Sequence, residues 1–281
     1  MAPIAGITTA QWGQEEWANN IWQGLSVASA LFRSPVQRLI IDGKIGHFPR
    51  VSVQPPAAWV AELDDLPSND GVDDALILTP KKLGNMIVLS NEVREDSNAD
   101  VLDGIADSLT RGLAASIDAT AFSTDPATTI APAGLLSTLT PLETESGAAV
   151  DIDSLLDGIG QVESEGGTPN AIYLHPQDLT ALRKLRATDT GQYLLAPGGQ
   201  TGDLSQRPVE SVGGAILYPT SGIATGSALV CDTNFVALGV SRDVAVEVST
   251  DAEFERDAAV ARVTARFDWQ IADPKAVAWI A

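Results

Sequence analysis

Residues 93–122, VREDSNADVLDGIADSLTRGLAASIDATAF, read two ways, and the choice between them sets the fold. Asp96, Asn98 and Asp100 fall on positions one, three and five of a calcium-binding EF-hand loop. Such a loop needs glycine at its sixth position for a sharp turn and a bidentate glutamate at its twelfth. Here those positions hold Val101, β-branched and poor at that turn, and Asp107, one carbon too short. The other reading is a helix. Leu102, Ile105, Leu109, Leu113 and Ile117 recur every three or four residues as one apolar stripe, and Asp103, Asp107, Ser108 and Arg111 take the remaining surface. Ser97 and Asp100 make a variant capping box, and acid in the first turn suits the helix dipole. The carboxylates are then explained by starting a helix. From Ser97 to Phe122 it spans roughly 37 Å at about 1.5 Å per residue, the length of a strut.

The rest of the chain supplies no competing chemistry. Its 281 residues, 44% hydrophobic, suffice for one large domain or two modest ones. No apolar run approaches the roughly 20 residues that cross a bilayer, and no charged-then-apolar signal peptide opens the chain. Cys231 stands alone, which excludes an internal disulfide and suits a reducing compartment; within SALVCDTNF it reads as a small buried residue. The two histidines, His47 and His175, have no metal-ligand spacing, and His175 before Pro176 suits a structural position at a strand-to-helix junction. There is no Gly-x-Ser-x-Gly, His-Glu-x-x-His, Cys-x-x-Cys or Walker lysine. GGQTGD at 198–203 fails as a phosphate loop, because no strand leads into it and no Lys-Ser/Thr pair follows. The densest acidic cluster, Asp64 to Asp74, lies in a turn, a poor place to preorganise catalysis. Neither an enzyme nor a cofactor is expected. A net charge of −20, nearly all of it beyond residue 50, disfavours specific grip on a phosphate backbone and lets a polyanion slide past.

Along the chain, residues 1–44 read as an arm carrying Trp12, Trp17 and Trp22, half of the tryptophans within the first 22 residues. Spaced by five, they share no helical face, and either their own domain or another subunit serves as apolar partner. Residues 45–83 read as a ribbon. IGHFPRVSV and ALILTPKKL are strand-like, and ELDDLPSNDGVDD between them holds the strong turn Asn69-Asp70-Gly71. A two-stranded ribbon buries no core and must lie against something. Beyond a Pro/Thr-rich connection, helix and strand alternate. DIDSLLDGIGQVESEGG is a capped helix ended by Gly166-Gly167, NAIYLHP a buried strand, and PQDLTALRKLRAT a helix opened by Pro176. Strands GAILYP, SALVCD, FVALGV and VAVEVS follow. In VTARFDWQI, Val263, Ala265, Phe267, Trp269 and Ile271 alternate with polar residues, the pattern of a half-buried strand.

Three stretches resemble the major capsid protein of tailed bacteriophages, the Hong Kong 97-type family. PPAAWVAELDDLPSNDGVDDALILTPKKLGNMIVLSNEVREDS is similar to that family's extended loop, with its Ala-x-Trp-Val-x-Glu entry at Ala57 to Glu62, the Lys82-Leu83 pair and an Asp-Ser leading to the spine helix. PNAIYLHPQDLTALRKLRATDTGQYLL resembles its strand, Pro-initiated helix and Gly-x-Tyr-Leu sequence, and ARVTARFDWQIADPKAVAWI its terminal Arg-strand-Asp-Pro-x-Ala pattern. Each motif is moderately specific; their order across nearly the whole chain is much more so.

The resemblance implies an α+β capsid fold with an axial domain, a peripheral domain with a long spine helix, an extended β-ribbon loop and an N-terminal arm. On that reading the arm is 1–44 and the loop 45–83. The peripheral domain is 84–130, completed by about 240–270, and the axial domain is 131–239 with 271–281. It implies a chain that assembles with itself, through hexamers and pentamers, into an icosahedral virion shell built in the host bacterial cytoplasm around double-stranded DNA. Separate scaffold, portal and cement proteins are the partners implied. Assembly residues expected on this reading are Trp12, Trp17, Trp22, Trp59, Glu62, Asp64, Asp65 and Arg111, with Trp59 an apolar anchor and Glu62 a charged contact. Two departures from the family matter. Met1 leads almost directly into the arm, so the chain uses a separate scaffold or is a processed or naturally short form. No lysine lies between Arg50 and Lys81, so a covalent crosslink from the loop tip is not expected. An encapsulin-like bacterial compartment, which shares the fold but encloses a protein cargo, is the nearest alternative; a metal-binding protein or metal-dependent enzyme is a distant one.

Overall fold

The stripe that starts at Leu102 closes into one helix, Ala99–Ala121, in the computed structural model, which describes residues 22–51, 59–60, 73–90, 99–142, 150–185 and 210–281. The expected cap at Ser97 lies outside the described residues. Leu109, Leu113 and Ile117 are buried, as the stripe requires, together with Phe122 just beyond the helix. A side chain of this size contributes about 1.5–3 kcal/mol when buried, whereas an exposed ion pair contributes at most about 1 kcal/mol. Packing of the stripe, rather than the exposed Asp107–Arg111 pair on the opposite face, therefore holds the helix.

The strands, in chain order, are β1 Gln37–Ile40, β2 Gly46–Val51, β3 Asp73–Leu78, β4 Lys81–Ser90, β5 Pro141–Leu142, β6 Ala171–Leu174, β7 Ser211–Val212, β8 Ala215–Pro219, β9 Ala228–Cys231, β10 Val236–Glu253, β11 Ala258–Ile271 and β12 Val277–Ile280. They form a four-stranded sheet ordered β1-β10-β11-β4, a six-stranded sheet ordered β5-β12-β9-β6-β8-β7, and the two-stranded pair β2-β3. The inner face of the four-stranded sheet presents Val263, Ala265, Phe267 and Trp269 to the long helix, in one core that also takes Tyr173, Leu229 and Cys231 from the six-stranded sheet. That second sheet is covered on its other face by helices Ile152–Ser164 and Pro176–Lys184, against Ile172, Leu174, Ala228 and Val230. Covered on both sides, β6 and β9 are buried along their whole length, which is why their sequences run apolar without alternation.

The local signals hold. Asp151 accepts the Ser154 N–H at 2.7 Å while the Ser154 hydroxyl accepts the Asp151 N–H at 3.1 Å, a reciprocal cap. His175 caps its helix by accepting the Gln177 N–H on Nδ1 at 3.2 Å, and Pro176 heads that helix. Cys231 is fully buried, and burial pushes its thiol well up, so it stays protonated and inert.

Four readings of the sequence need adjustment. Residues 22–41, read as part of an arm, are packed into the body: Leu25, Leu31 and Phe32 are buried, and β1 pairs in parallel with β10. Lys81 to Leu83, read as the end of the ribbon, open β4 of the four-stranded sheet. FVALGV and VAVEVS are one strand, β10, whose register shifts between Val240 and Arg242 and again between Arg242 and Ala245. In β11, Thr264 and Asp268 are buried along with the apolar face, because the polar face is itself partly covered.

A buried carboxylate joins three distant segments. Asp118, only 6% exposed, accepts from the Ser29 hydroxyl at 2.5 Å, the Ala30 N–H at 2.9 Å and the Thr220 hydroxyl at 2.9 Å. The loop after β8 runs so close that a Cβ on Gly222 would lie 2.3 Å from the Asp118 carbonyl oxygen. Asp118→Ala would strand three donors, at about 1–3 kcal/mol for each group left unsatisfied, so a loss of at least about 3 kcal/mol in urea unfolding is expected. Asp118→Asn, which keeps one acceptor oxygen, should lose less.

Candidate assembly surface

β3 and β4 are nearly one run of chain, and the break between them is at Thr79-Pro80. β4 pairs antiparallel with β11 from Ser90↔Ala258 up to Lys81↔Phe267. Proline has no N–H to extend that ladder. Past it, β3 leaves β11 and pairs with β2 alone, in the register Gly46↔Leu78 to Val51↔Asp73. Two side chains of β11 take over from the ladder. The Asp268 carboxylate accepts the Thr79 N–H at 2.6 Å and the Trp269 N–H at 2.9 Å, and the Gln270 amide donates to the Ile77 carbonyl at 3.0 Å. Beside them Ile41, Leu78 and Ala237 form a small buried cluster, against which Leu39, Phe48 and Leu76 pack. Gly239, opposite Asp268 on β10, makes the room: a Cβ there would lie 2.8 Å from Ile41 Cδ1.

The ribbon is thus clamped at its root onto the outer face of the four-stranded sheet. Burial pushes the Asp268 carboxyl above its ordinary range, against the opposing pull of the Thr79 and Trp269 N–H groups and nearby Lys81. The root is covered on one side only: Ile45 and Ile77, beside the buried Leu78, are more than half exposed.

The remainder of that outer face is only partly covered: Ala258, Val260 and Thr264 of β11 are buried between exposed neighbours. Lys82, Gly84, Met86 and Val88 of β4 point outward and are exposed, as are Arg262 and Arg266 of β11 and Glu247 of β10. Arg262 pairs with Glu247 across the strands. Lys82, Arg266 and Arg242 fall directly opposite one another on three adjacent strands.

The sequence profile of the phage capsid family matches residues 14–281. The chain belongs to that family. It is a major capsid protein, the virion subunit from which a tailed-phage head shell is built. Solved structures similar to this capsid protein include those titled Mycobacterium phage Bobi (TM-score 0.67, 19% identity, 90% of each chain covered) and Microbacterium phage Oxtober96 (TM-score 0.69, 19% identity, 90% of this chain and 91% of that one). The capsid of a native GTA particle matches with TM-score 0.66 and 17% identity over 89% of each chain. At such identities the likeness shows the fold, which is the Hong Kong 97-type. No curated protein matches the chain.

Of the assembly residues expected from sequence, Trp12, Trp17, Glu62, Asp64 and Asp65 lie outside the described residues of this capsid protein. Trp22 is taken by its own core. Its ring meets Phe32 edge-on, with centroids 5.8 Å apart, and Phe32 in turn meets Phe267 at 5.2 Å. Trp59 is fully exposed. Arg111 is exposed on the long helix and paired with Asp107 one turn before it. Among the described residues, no hydrogen bond, ion pair or ring contact joins Trp22, Trp59 and Arg111 to one another. What sequence reasoning missed is Asp268 and the cationic row. Both follow from strand pairing, which periodicity within one strand does not reveal.

Because its folded-state pKa is raised, Asp268 favours folding most when protonated, and its contribution falls as pH rises through the raised pKa. Asp268→Asn should therefore abolish a loss of stability that the unmodified protein shows on going from about pH 4 towards neutrality. Asp268→Ala strands the Thr79 N–H and should destabilise by about 1–3 kcal/mol at either pH. Urea unfolding across that range measures both.

Proposed function

We propose that this capsid protein builds an icosahedral head around double-stranded DNA by closing into hexamers and pentamers through contacts made by its ribbon. The observation that carries this reading is the ribbon root. Among the described residues β2 and β3 pair only with each other and are fastened at one end, and a two-stranded ribbon is marginal in water without further cover. A neighbouring subunit supplies the missing surface, with Trp59 as apolar anchor and Glu62 as charged contact. Such contacts are heterologous, so repeated copies close into rings, and a subunit held at several sites gains from multivalency even where each contact is modest.

On this reading the four-stranded sheet and the long helix form the peripheral domain, and the six-stranded sheet with its two helices forms the axial domain. The segment before residue 22 is the arm. The work is assembly rather than catalysis, and no cofactor enters it. An acidic surface, at net charge −20, repels DNA and keeps the lumen from gripping it during packaging. A separate scaffold, a portal and cement proteins complete the particle. No observation favours a protein-filled compartment over a phage head.

Deleting residues 57–74 should leave a folded, soluble subunit that forms no shells in sedimentation velocity or electron microscopy. Shells at normal yield from that deletion would remove the ribbon from the assembly.

A further inference from the structure

On the helix side of the four-stranded sheet, a cleft of about 140 Å³ lies between β4 and the long helix. Leu83, Ile117, Pro132, Phe267 and Trp269 give it apolar walls, and Lys81 and Lys82 line it too. Its polar groups are satisfied within the subunit. The Ser116 hydroxyl donates to the Gly112 carbonyl at 2.9 Å, the Thr120 hydroxyl to the Ser116 carbonyl at 2.8 Å, and Trp269 Nε1 to the Ala133 carbonyl at 2.9 Å. What such a cleft takes is an apolar group, and an apolar cavity of about 150 Å³ holds roughly one benzene ring.

One wall is set by a pinned loop. The Thr128 N–H donates to the Ala131 carbonyl at 3.0 Å, the Ala131 N–H to Thr128 Oγ1 at 2.9 Å, and the Gly134 N–H to the Asp125 carbonyl at 2.9 Å. At the neck of that loop a Cβ on Gly134 would lie 1.9 Å from the Ser123 carbonyl oxygen, so the position requires glycine. The tip holds Ile130 at 82% exposure, an apolar rim beside the cleft. A preformed wall lowers the ordering cost of binding.

Two further features adjoin it. β4 ends the sheet order β1-β10-β11-β4, so among the described residues the far side of its backbone has no ladder partner. Lys81 and Lys82 of that strand have no ion-pair partner among the described residues, although the chain has 37 acidic residues against 17 basic ones. Lys81 acts on the buried Asp268 only through space. A free strand edge takes up an extended peptide by backbone hydrogen bonds, and a pocket beside it selects a side chain. Side chains of an added strand alternate between faces. A residue seated in the cleft therefore turns its neighbour to the outer face, where Lys82 points, and the next one back to the face of Lys81 and Leu83. Lysines on a strand edge also discourage pairing with copies of the same edge.

We propose that the β4 edge docks an extended acidic segment of a partner protein other than this chain. The segment adds to β4 as a strand, seats one leucine- or phenylalanine-sized side chain between Leu83, Ile117 and Trp269, and sets carboxylates on Lys81 and Lys82. This goes beyond the shell reading and does not depend on it, because one subunit carries the whole site. The ionic part is exposed, so binding weakens with salt.

The test titrates the full-length subunit with a capped heptapeptide that holds one phenylalanine between glutamates, read by calorimetry and by methyl NMR. Saturable, salt-sensitive binding with shifts at Leu83, Ile117 and Ile130 is expected. Alanine in place of the phenylalanine should weaken binding at least about tenfold. Lys81→Glu with Lys82→Glu should abolish binding, and the milder Lys81→Gln with Lys82→Gln should weaken it, with the melting transition kept. Thr120→Phe, which fills the cleft from the helix, should block the peptide without touching either lysine. No saturation by about 1 mM, equal binding of the alanine peptide, or shifts confined to other residues would overturn the proposal. So would 3-phenylpropionate binding as tightly as the peptide, which would make this a small-molecule site with no added strand. Shells assembled from the chain alone, with density from a neighbouring copy filling the cleft, would overturn it too and give the site to the subunit itself.

Discussion

At Thr79-Pro80 the chain changes sheets, and the hydrogen bond from the Thr79 N–H to the Asp268 carboxylate holds that junction together. The proline ends the β4–β11 ladder, so the next backbone donor towards the ribbon, the Thr79 N–H, has no ladder partner. Asp268 meets that donor at 2.6 Å, and Gln270 meets the Ile77 carbonyl one step further on. The direction of the ribbon follows from this pair of contacts, since they fix β3 antiparallel to β11 and aim it past the end of the sheet. Placing a carboxylate where it is only 3% exposed opposes ionisation, and the raised pKa is the sign of that opposition. Hydrogen bonds to a charged acceptor, at about 1.5–3 kcal/mol each, are strong enough to hold it there.

A second buried carboxylate does for the body what Asp268 does for the ribbon. Asp118 fastens the N-terminal helical turns and the loop after β8 to the long helix, so that the helix braces both large sheets around one core. The consequence is one packed body with the ribbon fastened to it at its root. Such a division suits a shell subunit, whose body must transmit a fixed geometry and whose limb must find a neighbour. The charge is uneven in the same way, with six carboxylates at residues 62–74 and, among the described residues, no ion-pair partner for the exposed Lys82 and Arg266 of the sheet.

Much of this was legible in the sequence, for reasons that are local. The 3.6-residue stripe of the long helix, the Asp151 and His175 caps and the unbroken apolar runs of β6 and β9 each record an environment within a few residues of chain. The ribbon was legible too, from two strand-like runs around an acidic turn. Less visible was whatever depended on pairing between distant segments. Trp22 could be read as seeking another subunit because nothing nearby in sequence shows that Phe32 and Phe267 complete its site. Asp268 sat in the polar half of an alternating strand and read as solvent-facing; it is buried because the ribbon root, some 190 residues earlier in the chain, lies over it. The cation row is invisible until β4, β10 and β11 are set in register.

The proposed function stands or falls with the ribbon of one subunit being completed by a neighbouring subunit. A cryo-electron microscopy reconstruction of shells assembled from the purified chain tests it most directly. The account predicts closed icosahedral particles in which density for residues 52–72 leaves its own subunit at Val51 and Asp73 and lies against a neighbouring subunit. Density that folds the ribbon back onto its own subunit would contradict it.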